Sequence, residues 1–247
     1  MHGKDADEKL RQEFNNWVLT GRAEGMEGHH LSIAEQTIRH MDLKPGERVL
    51  DLGCGTGWAT RVLARLVAEG PVGLGQVIGL DISDEMIARA REASKEFDNI
   101  LFVWSSADQI PWEENYFNKV LSIEAFYYYP DQERVLAEMF RVMAPQARLY
   151  ILINLYQENP YSLRWVDKLG VPVHVRSENE YAEMLKRQTF EEIEIHHVPD
   201  ESPTPDDYQG SGFSNAQEAR EFKRIGALLL VARKPNVLTP PSEVELY

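Results

Sequence analysis

The feature that most constrains this chain is a glycine-rich stretch that directly follows a short apolar run. Gly53, Gly55 and Gly57 stand at every second position after the run that begins at Val49. The apolar run predicts a buried strand, and the pattern after Gly57 predicts a helix whose first turn has free N–H groups. Glycine tolerates positive φ angles and lets a ligand approach the backbone closely. A strand, turn and helix of this kind favours a nucleotide or nucleoside site over a purely structural turn.

Two well-known nucleotide motifs do not match this stretch. The dinucleotide fingerprint G-x-G-x-x-G requires a third glycine for close packing of helix on strand, and Trp58 occupies that position. The phosphate loop requires Gly-Lys-Ser/Thr, which does not follow. The sequence therefore argues against a pyrophosphate cradle. A nicotinamide-binding protein remains an alternative, with Trp58 as its adverse feature.

The glycine-rich stretch has a closer counterpart in another family. Residues 51–57, Asp-Leu-Gly-Cys-Gly-Thr-Gly, resemble the first motif of class I S-adenosylmethionine-dependent methyltransferases, and residues 43–48 resemble its lead-in. The resemblance covers 43–152 with motifs in the family's order. It implies a Rossmann-like, doubly wound α/β sheet of seven strands in the order 3-2-1-4-5-7-6, with the last strand antiparallel. It also implies S-adenosylmethionine as the cofactor, whose ammonium group and cationic sulfur suit a carboxylate near the turn.

The resemblance assigns cofactor contacts to the glycine-rich turn and to later strand ends. The residues implied are Asp51, Gly53, Cys54, Gly55, Gly57, Asp81, Ile82, Met86, Ser106, Ala107, Asp108 and Glu124. Asp81 ends a predicted strand, where a carboxylate can accept both hydrogen bonds of a ribose diol, and Ser83 is better placed as a helix N-cap. Met86 either packs on adenine or belongs to the helix core. Ser106 replaces the family's usual aspartate beside the adenine amino group, so Ser106 and Asp108 are alternatives for that contact.

Catalytic candidates cluster after the predicted fourth strand, because ligands in open α/β sheets lie at the carboxyl ends of strands. Glu124 is followed by three consecutive tyrosines, 127–129, whose ring faces stabilise nearby cations. We expect at least one of the three to line the pocket. A general base is needed only if the acceptor must lose a proton. The candidates are Glu124, Tyr127, Tyr128, His29 and His30, and the sequence does not choose between them.

The N-terminal region predicts two helices, over 9–19 and 30–41, with a polar break over 20–28 between them. In the family a lid over cofactor and acceptor lies here. Four residues either line that lid or serve as core and surface residues, namely Trp17, Met26, His29 and His30. No metal site is predicted, because a histidine pair without further ligands at metal spacing is not a zinc signal.

The remaining patterns predict one α/β unit. Strands are expected over 48–52, 77–81, 100–104, 117–123, 149–154, 191–198 and 226–233, and helices over 58–67, 84–96, 131–143 and 179–188. Loops are expected over 69–76 and 199–216, while 155–178 carries no clear pattern. The predicted organisation is a helical lid (1–42), a methyltransferase domain (43–234) and a flexible tail (235–247).

The composition limits the cellular compartment and the binding partners that we expect for this chain. The chain has 247 residues, a net charge of −14 and no basic run, so nucleic acid is a disfavoured partner. Cys54 is the single cysteine, which rules out an intrachain disulfide and fits a small buried filler better than a reactive thiol. No apolar run reaches 18 residues and the N-terminus is polar and acidic, so we expect a cytoplasmic protein without a membrane span.

The function expected from the resemblance is methyl transfer to an O, N or C nucleophile by in-line displacement. The motifs look most like the group that methylates quinones, sterols, phosphoethanolamine and natural products, so a small-molecule acceptor is expected. The Asn/Asp-Pro-Pro-Tyr/Phe motif that serves base and glutamine nitrogens is absent. A protein or RNA methyltransferase and a non-catalytic cofactor-binding protein remain alternatives. The sequence makes no prediction of oligomeric state.

Overall fold

One seven-stranded sheet runs through the part of the chain that the structure describes. The structure is a computed structural model that describes residues 2–68, 75–210 and 212–236, without the side chains of 2–4, 24, 26, 27 and 29. The strands are β1 (Arg48–Leu52), β2 (Gln76–Asp81), β3 (Ile100–Trp104), β4 (Phe117–Ile123), β5 (Met143–Ile153), β6 (Glu191–Val198) and β7 (Ala227–Arg233). Their order is β3-β2-β1-β4-β5-β7-β6, and only β7 runs antiparallel to its neighbours. This confirms the predicted sheet.

Seven α-helices of the described residues cover the sheet. They are α1 (His2–Leu19), α2 (Arg22–His40), α3 (Trp58–Val67), α4 (Asp84–Ala93), α5 (Gln132–Val142), α6 (Glu178–Arg187) and α7 (Ala216–Ile225). Two short 3-10 helices span Phe126–Tyr128 and Leu163–Lys168. β1 and β7 are buried along almost their whole length, which explains their continuous apolar sequences. Packing on both faces therefore fixes the sheet and its strand ends.

The N-terminal helices are longer than the sequence predicts. The expected break over 20–28 is wrong, because only a turn at Thr20 and Gly21 separates α1 from α2. Gly21 adopts a left-handed conformation (φ +74°), and the helix resumes at Arg22. α1 likewise begins well before the predicted start. The buried residues Leu10 and Trp17 of α1 belong to the main hydrophobic core, so α1 packs tightly on the sheet domain.

Two further boundaries differ from prediction. β5 begins at Met143 instead of 149, because the chain passes from α5 into the strand without an intervening turn. α7 has no counterpart in the prediction, although Asn215 caps it by accepting a hydrogen bond from the Glu218 N–H at 2.9 Å. Residues 69–74 of the predicted glycine-rich loop and 237–247 of the predicted tail lie outside the described residues. Among the described residues, no helix has the length and apolarity needed to cross a bilayer.

Candidate active site

The glycine-rich turn between β1 and α3 depends on glycine for steric reasons. Gly53 and Gly57 have φ angles of +78° and +75°. A Cβ on Gly53 would lie 2.4 Å from the Cβ of Ala125, and one on Gly57 would lie 2.7 Å from the Phe102 ring. The N–H groups of Gly53 and Cys54 both donate to the Leu80 carbonyl, at 2.8 and 3.0 Å. The turn is therefore pressed against the ends of β2 and β4, which leaves room only for glycine at these positions.

The Asp81 carboxylate closes the other side of this turn. Its Oδ2 accepts a hydrogen bond from the Gly55 N–H at 2.9 Å, and its Oδ1 accepts one from the Ser83 N–H at 2.8 Å. Ser83 in turn accepts from the Met86 N–H at 3.0 Å and is the N-cap of α4, as predicted. Burial raises the pKa of Asp81. Because a carboxylate oxygen can accept two hydrogen bonds, both oxygens keep acceptor capacity for a ribose diol.

Asp51 and Cys54 are buried beneath the turn. Asp51 is 2% exposed and accepts a hydrogen bond from the Thr60 hydroxyl at 2.6 Å. Burial raises its pKa to about 7. Cys54 packs with Ile87 and Phe102, and burial raises the pKa of its thiol, so the thiol is held in its unreactive neutral form.

A cleft of about 1250 Å³, measured with its open mouth, lies at the carboxyl ends of β1, β2 and β4. The N-terminal helices form one wall through Leu10, Phe14, Trp17, Ala23 and His30. Six carboxyl groups line the cleft: Asp7, Asp51, Asp81, Asp108, Glu124 and Asp131. Lysine and arginine are absent from the described lining residues. The cleft therefore favours cationic ligands and disfavours phosphates.

One corner of the cleft is unusually rich in hydrogen-bond acceptors. The Ser106 hydroxyl donates to the Asp7 carboxylate of α1 at 3.2 Å. Burial and the nearby charge of Asp108 raise the pKa of Asp7. Asp108 has one buried carboxylate oxygen, Oδ1, with no hydrogen-bond partner among the described residues, while Oδ2 lies 3.4 Å from Nε of Arg134. The corner consequently suits a ligand group that donates two hydrogen bonds.

Glu124 follows β4 in a strained backbone conformation with φ +53°. Its Oε1 accepts a hydrogen bond from the Asn154 N–H at 2.5 Å, and its Oε2 accepts one from the Tyr127 hydroxyl at 3.0 Å. Burial raises the pKa of Glu124 to about 7, and the two hydrogen bonds oppose that rise. A carboxyl group that titrates near neutrality beside a cleft is suited to accept a proton.

Three aromatic rings form a cluster in the wall of the cleft. Phe14 lies edge-on to Trp17 and to Tyr128, with ring centroids 5.0 Å apart in both pairs. The Arg22 guanidinium stacks over the Trp17 ring at 3.8 Å and supports it. Trp17 is 4% exposed, so this cluster is rigid. It offers an apolar surface to a ligand that lies beyond the glycine-rich turn.

The structure gathers most of the sequence-predicted site into this cleft. Eleven of the twelve predicted cofactor residues line it, and Gly57 instead precedes α3 as its N-cap. Among the catalytic candidates, Glu124, Tyr128 and His30 line the cleft, whereas Tyr127 does not. The side chains of Met26 and His29 lie outside the described residues.

The sequence analysis missed several lining residues on α1 and in the segment after β4. They are Asp7, Leu10, Phe14 and Asp131, whereas Tyr129 and Tyr128 confirm the expectation that at least one of the three tyrosines lines the pocket. Asp7, Leu10, Phe14 and Trp17 recur at spacings of three and four, which is the stripe of one helix face. Extending the predicted first helix toward the N-terminus would have revealed Asp7 on the same face as Trp17.

Comparison with known proteins shows what this chain is similar to. Residues 43–209 match the family described as "Methyltransferase domain". The demethylmenaquinone methyltransferase of Staphylococcus saprophyticus is 28% identical over 195 residues, which cover 76% of this chain and 79% of that protein. Other curated demethylmenaquinone methyltransferases align over about half of their own length, 52% and 51%.

Two solved structures extend the comparison. A Haloferax volcanii methyltransferase, solved in complex with the Trm112 methyltransferase activator, is 30% identical with a TM-score of 0.81, covering 90% of this chain and 97% of that chain. A phosphoethanolamine N-methyltransferase of Haemonchus contortus, with S-adenosylhomocysteine and phosphomonomethylethanolamine bound, has a TM-score of 0.62. It is 19% identical, covers 82% of this chain and 52% of that chain, and shows a shared fold.

Proposed function

This chain belongs to the family of S-adenosylmethionine-dependent methyltransferase domains, and from that premise we propose that it methylates a small, unphosphorylated aromatic acceptor such as a hydroquinone, the reduced form of a quinone. The observation that carries this proposal is the cleft, which combines an aromatic wall with six carboxyl groups and no lining lysine or arginine among the described residues. The lining extends from the glycine-rich turn to Phe14 and Tyr128, so the cofactor and an acceptor would occupy neighbouring parts of the cleft.

The residues present fit the cofactor. Asp81 has acceptor capacity for the ribose hydroxyls, and a Cβ on Gly55 would have no heavy atom within 4 Å, so this part of the turn faces open space. The acceptor-rich corner of Asp7, Ser106 and Asp108 matches the two N–H bonds of the adenine amino group, and the partnerless oxygen of Asp108 supports this assignment. Ser106 stands where the family usually has an aspartate. We propose that Asp7, Ser106 and Asp108 together make the adenine contact of that aspartate.

When bound, S-adenosylmethionine supplies an activated methyl group on a cationic sulfur, for in-line displacement by the acceptor nucleophile. The protein's residues position that acceptor and manage its proton. We assign the Phe14–Trp17–Tyr128 cluster to the acceptor's planar face, and Glu124 to its proton, because Glu124 lines the cleft and titrates near neutrality. Positioning of this kind lowers barriers by up to about 7–11 kcal/mol in aligned intramolecular reactions.

The negative charge of the cleft lining limits which classes of methyl acceptor can bind. A phosphorylated acceptor, such as the one bound in the Haemonchus structure, needs cationic groups to offset its charge. The described residues that line this cleft include six carboxyl groups and neither lysine nor arginine. An uncharged aromatic acceptor avoids that repulsion and gains from burial against the aromatic cluster. The names of the curated demethylmenaquinone methyltransferases support the same class.

Calorimetric titration with S-adenosylhomocysteine and, separately, with NAD tests the cofactor first. We expect S-adenosylhomocysteine to bind and Asp81→Ala to weaken it strongly, with no binding of NAD. A panel of hydroquinones, phenols, amines and phosphorylated amines is then assayed for S-adenosylhomocysteine production. Turnover of hydroquinones or phenols supports the proposal, and preference for phosphorylated acceptors contradicts it. Cofactor binding without turnover of any panel member contradicts the small-molecule assignment.

A protein partner is a second proposal, favoured by the Haloferax relative that was solved with an activator. β3 ends the described sheet and pairs on one side only, with β2. It carries two exposed apolar side chains, Leu101 at 46% and Trp104 at 56% exposure. Exposed edge strands of this kind readily pair with another chain. We propose that an activator protein of the Trm112 type binds this edge. If it does, a macromolecular methyl acceptor is the alternative to a small molecule.

Co-expression with a Trm112-type activator, followed by size-exclusion chromatography, tests the partner. Leu101→Asp is expected to abolish co-elution. Leu66→Asp is the matched control, because Leu66 is also 46% exposed but belongs to α3 and not to the edge strand. Failure of the unaltered chain to form a complex, or equal loss with both variants, contradicts the edge proposal. Transfer of methyl groups to protein or RNA by the complex would favour the macromolecular alternative.

A further inference from the structure

Three potential metal ligands from distant parts of the chain converge between α2 and β6. His40 ends α2, while Glu194 and His196 lie on one face of β6 at a spacing of two. One ligand atom from each residue lies within 4.8 Å of the others. The rings of His40 and His196 have centroids 4.9 Å apart, and His196 Nε2 lies 3.0 Å from Glu194 Oε2. None of the three lines the cleft.

Two imidazoles and one carboxylate are a donor set that suits zinc. Zinc bonds to histidine nitrogen and carboxylate oxygen at about 2.0–2.2 Å, which places tetrahedral ligands roughly 3.4 Å apart. The His196–Glu194 distance of 3.0 Å is somewhat shorter than that spacing, so only a small separation of the two side chains would admit the ion. His40 is exposed, so its ring can rotate to close the remaining gap. Water would complete the coordination.

The three ligands lie between a negative helix end, which favours a bound cation, and an arginine, which competes with the cation for Glu194. His40 lies in the last turn of α2, where the helix dipole is negative. Arg148 competes, since its Nη1 lies 3.6 Å from Glu194 Oε1. Arg148 also contacts Glu192 at 3.2 Å, and it approaches the carboxylate oxygen opposite to the one beside His196. The Glu194 carboxylate can therefore bind a metal through Oε2 while Arg148 remains at Oε1.

We propose that His40, Glu194 and His196 bind a zinc ion that fastens α2 to the edge of the sheet. α2 is already tied to the segment after β6, because Gln36 Nε2 donates to the Pro199 carbonyl at 2.8 Å and Ser32 Oγ accepts from the Glu201 N–H at 3.0 Å. The other end of α2 contributes Ala23 and His30 to the cleft wall. Zinc at this point would stabilise the wall of the cleft without taking part in the chemistry there.

Zinc titration of the untagged, chelator-treated chain tests this site by calorimetry and thermal unfolding. We expect one ion per chain and a raised melting temperature, since an ion that binds only the folded state stabilises it. His40→Ala and His196→Ala should each weaken binding by about tenfold or more, the minimum seen even for loss of outer-sphere partners. Arg148→Gln should leave binding intact or tighten it, because it removes a competitor.

His197→Ala is the matched control for loss of a histidine from β6. His197 is adjacent to His196 and also contacts a carboxylate, with Nε2 2.9 Å from Glu178 Oε1, but among the described residues it belongs to no group of potential metal ligands. Its loss should leave zinc affinity within about twofold of the unaltered chain. Absence of binding, or equal effects of His196→Ala and His197→Ala, overturns the proposal. These readouts do not depend on methyl transfer, so the outcome is separate from that of the proposed function.

Discussion

The Asp7 carboxylate on α1 accepts a hydrogen bond from the Ser106 hydroxyl at 3.2 Å, which joins the N-terminal helix to the loop after β3. The contact brings a second carboxylate beside Asp108, whose buried Oδ1 has no hydrogen-bond partner among the described residues. Two acceptors held this close without a shared donor repel each other. A ligand with an amino group would relieve that repulsion, which supports the proposal that α1 forms part of the cofactor site.

Substitution of Asp7 should therefore weaken cofactor binding. A hydrogen bond to a charged group contributes about 1.5–3 kcal/mol, so Asp7→Ala is expected to raise the dissociation constant of S-adenosylhomocysteine about ten- to hundredfold. Asp5→Asn, on the exposed face of the same helix, should have no effect. Unchanged affinity in Asp7→Ala would remove α1 from the cofactor site. Calorimetry measures both variants.

An analogue that lacks the adenine amino group separates direct contact from helix packing. S-inosylhomocysteine carries a carbonyl oxygen at that position, which a carboxylate repels and an amide N–H can bond. The unaltered chain should discriminate against this analogue, and Asp7→Asn should lose most of that discrimination. A variant that merely loosened α1 would weaken both ligands equally.

Glu124 predicts the pH dependence of methyl transfer. Because its pKa is raised to about 7, its proton-accepting form increases as pH rises through neutrality, and kcat/KM should rise between about pH 6 and 8. Tyr127→Phe removes a hydrogen bond that lowers this pKa, so the profile should move to higher pH. Glu124→Gln should flatten the profile and reduce the rate about 10²-fold or more. A profile unaffected by either substitution would exclude Glu124 as the base.

The raised pKa of Glu124 also predicts that the free energy of unfolding depends on pH. The pKa of Glu124 rises from its ordinary 4.5 to about 7 on folding, so the folded state holds a proton that the unfolded state releases. Stability from this group is present below about pH 4.5 and is lost as pH rises through about 7. Glu124→Gln carries no such charge, and it should remove up to about 3 kcal/mol of that pH dependence. Urea unfolding at pH 5 and pH 8 measures the difference.

The glycine-rich turn allows a comparison of two similar substitutions. Gly53 and Gly55 both have positive φ, +78° and +52°, so alanine is strained at either position. A Cβ on Gly53 would meet the Ala125 Cβ at 2.4 Å, whereas a Cβ on Gly55 has no heavy atom within 4 Å. Gly53→Ala should therefore lower the melting temperature and cofactor affinity far more than Gly55→Ala. Equal losses would mean that backbone strain alone governs the turn.

Most of the sheet and the cofactor side of the cleft could be predicted because local patterns determine them. The buried strands are continuous apolar runs, and the turn after β1 demands glycine at fixed positions. Ser83 was predicted as an N-cap from its place between Asp81 and α4, and its hydrogen bond to the Met86 N–H confirms it. These features depend on residues that are close in sequence.

The remaining features depend on contacts between distant residues. Asp7 and Ser106 are 99 positions apart, and their contact exists only because α1 packs across the sheet edge. Tyr127 and Tyr128 are adjacent and identical in type, yet only Tyr128 lines the cleft, since the 3-10 helix turns their side chains in different directions. His40 and His196 are likewise far apart in the sequence, so their positions do not form a metal-binding motif. Only the tertiary packing of the chain brings the residues of such pairs together.

The buried carboxyl groups predict that binding of the cofactor releases protons. Comparison of two ligands of similar shape, one with a cationic sulfur and one without, measures the effect of the sulfonium charge. Burial raises the pKa values of both Asp51 and Glu124 to about 7. A nearby cation favours the ionised form of a carboxyl group, so S-adenosylmethionine should release protons when it binds. S-adenosylhomocysteine has the same shape but lacks the cationic sulfur. Its binding should release fewer protons.

Linkage then requires the affinity for S-adenosylmethionine to increase more steeply with pH than the affinity for S-adenosylhomocysteine. Between pH 6 and pH 8 the ratio of the two affinities should change by up to about tenfold per linked proton. Glu124→Gln should reduce the change, and Asp131→Asn serves as the control, because it removes the charge of another lining carboxyl group and keeps an N-cap side chain for α5. Calorimetry in buffers of different ionisation enthalpy counts the protons directly. Identical pH slopes for both ligands would mean that the sulfonium charge lies away from Asp51 and Glu124.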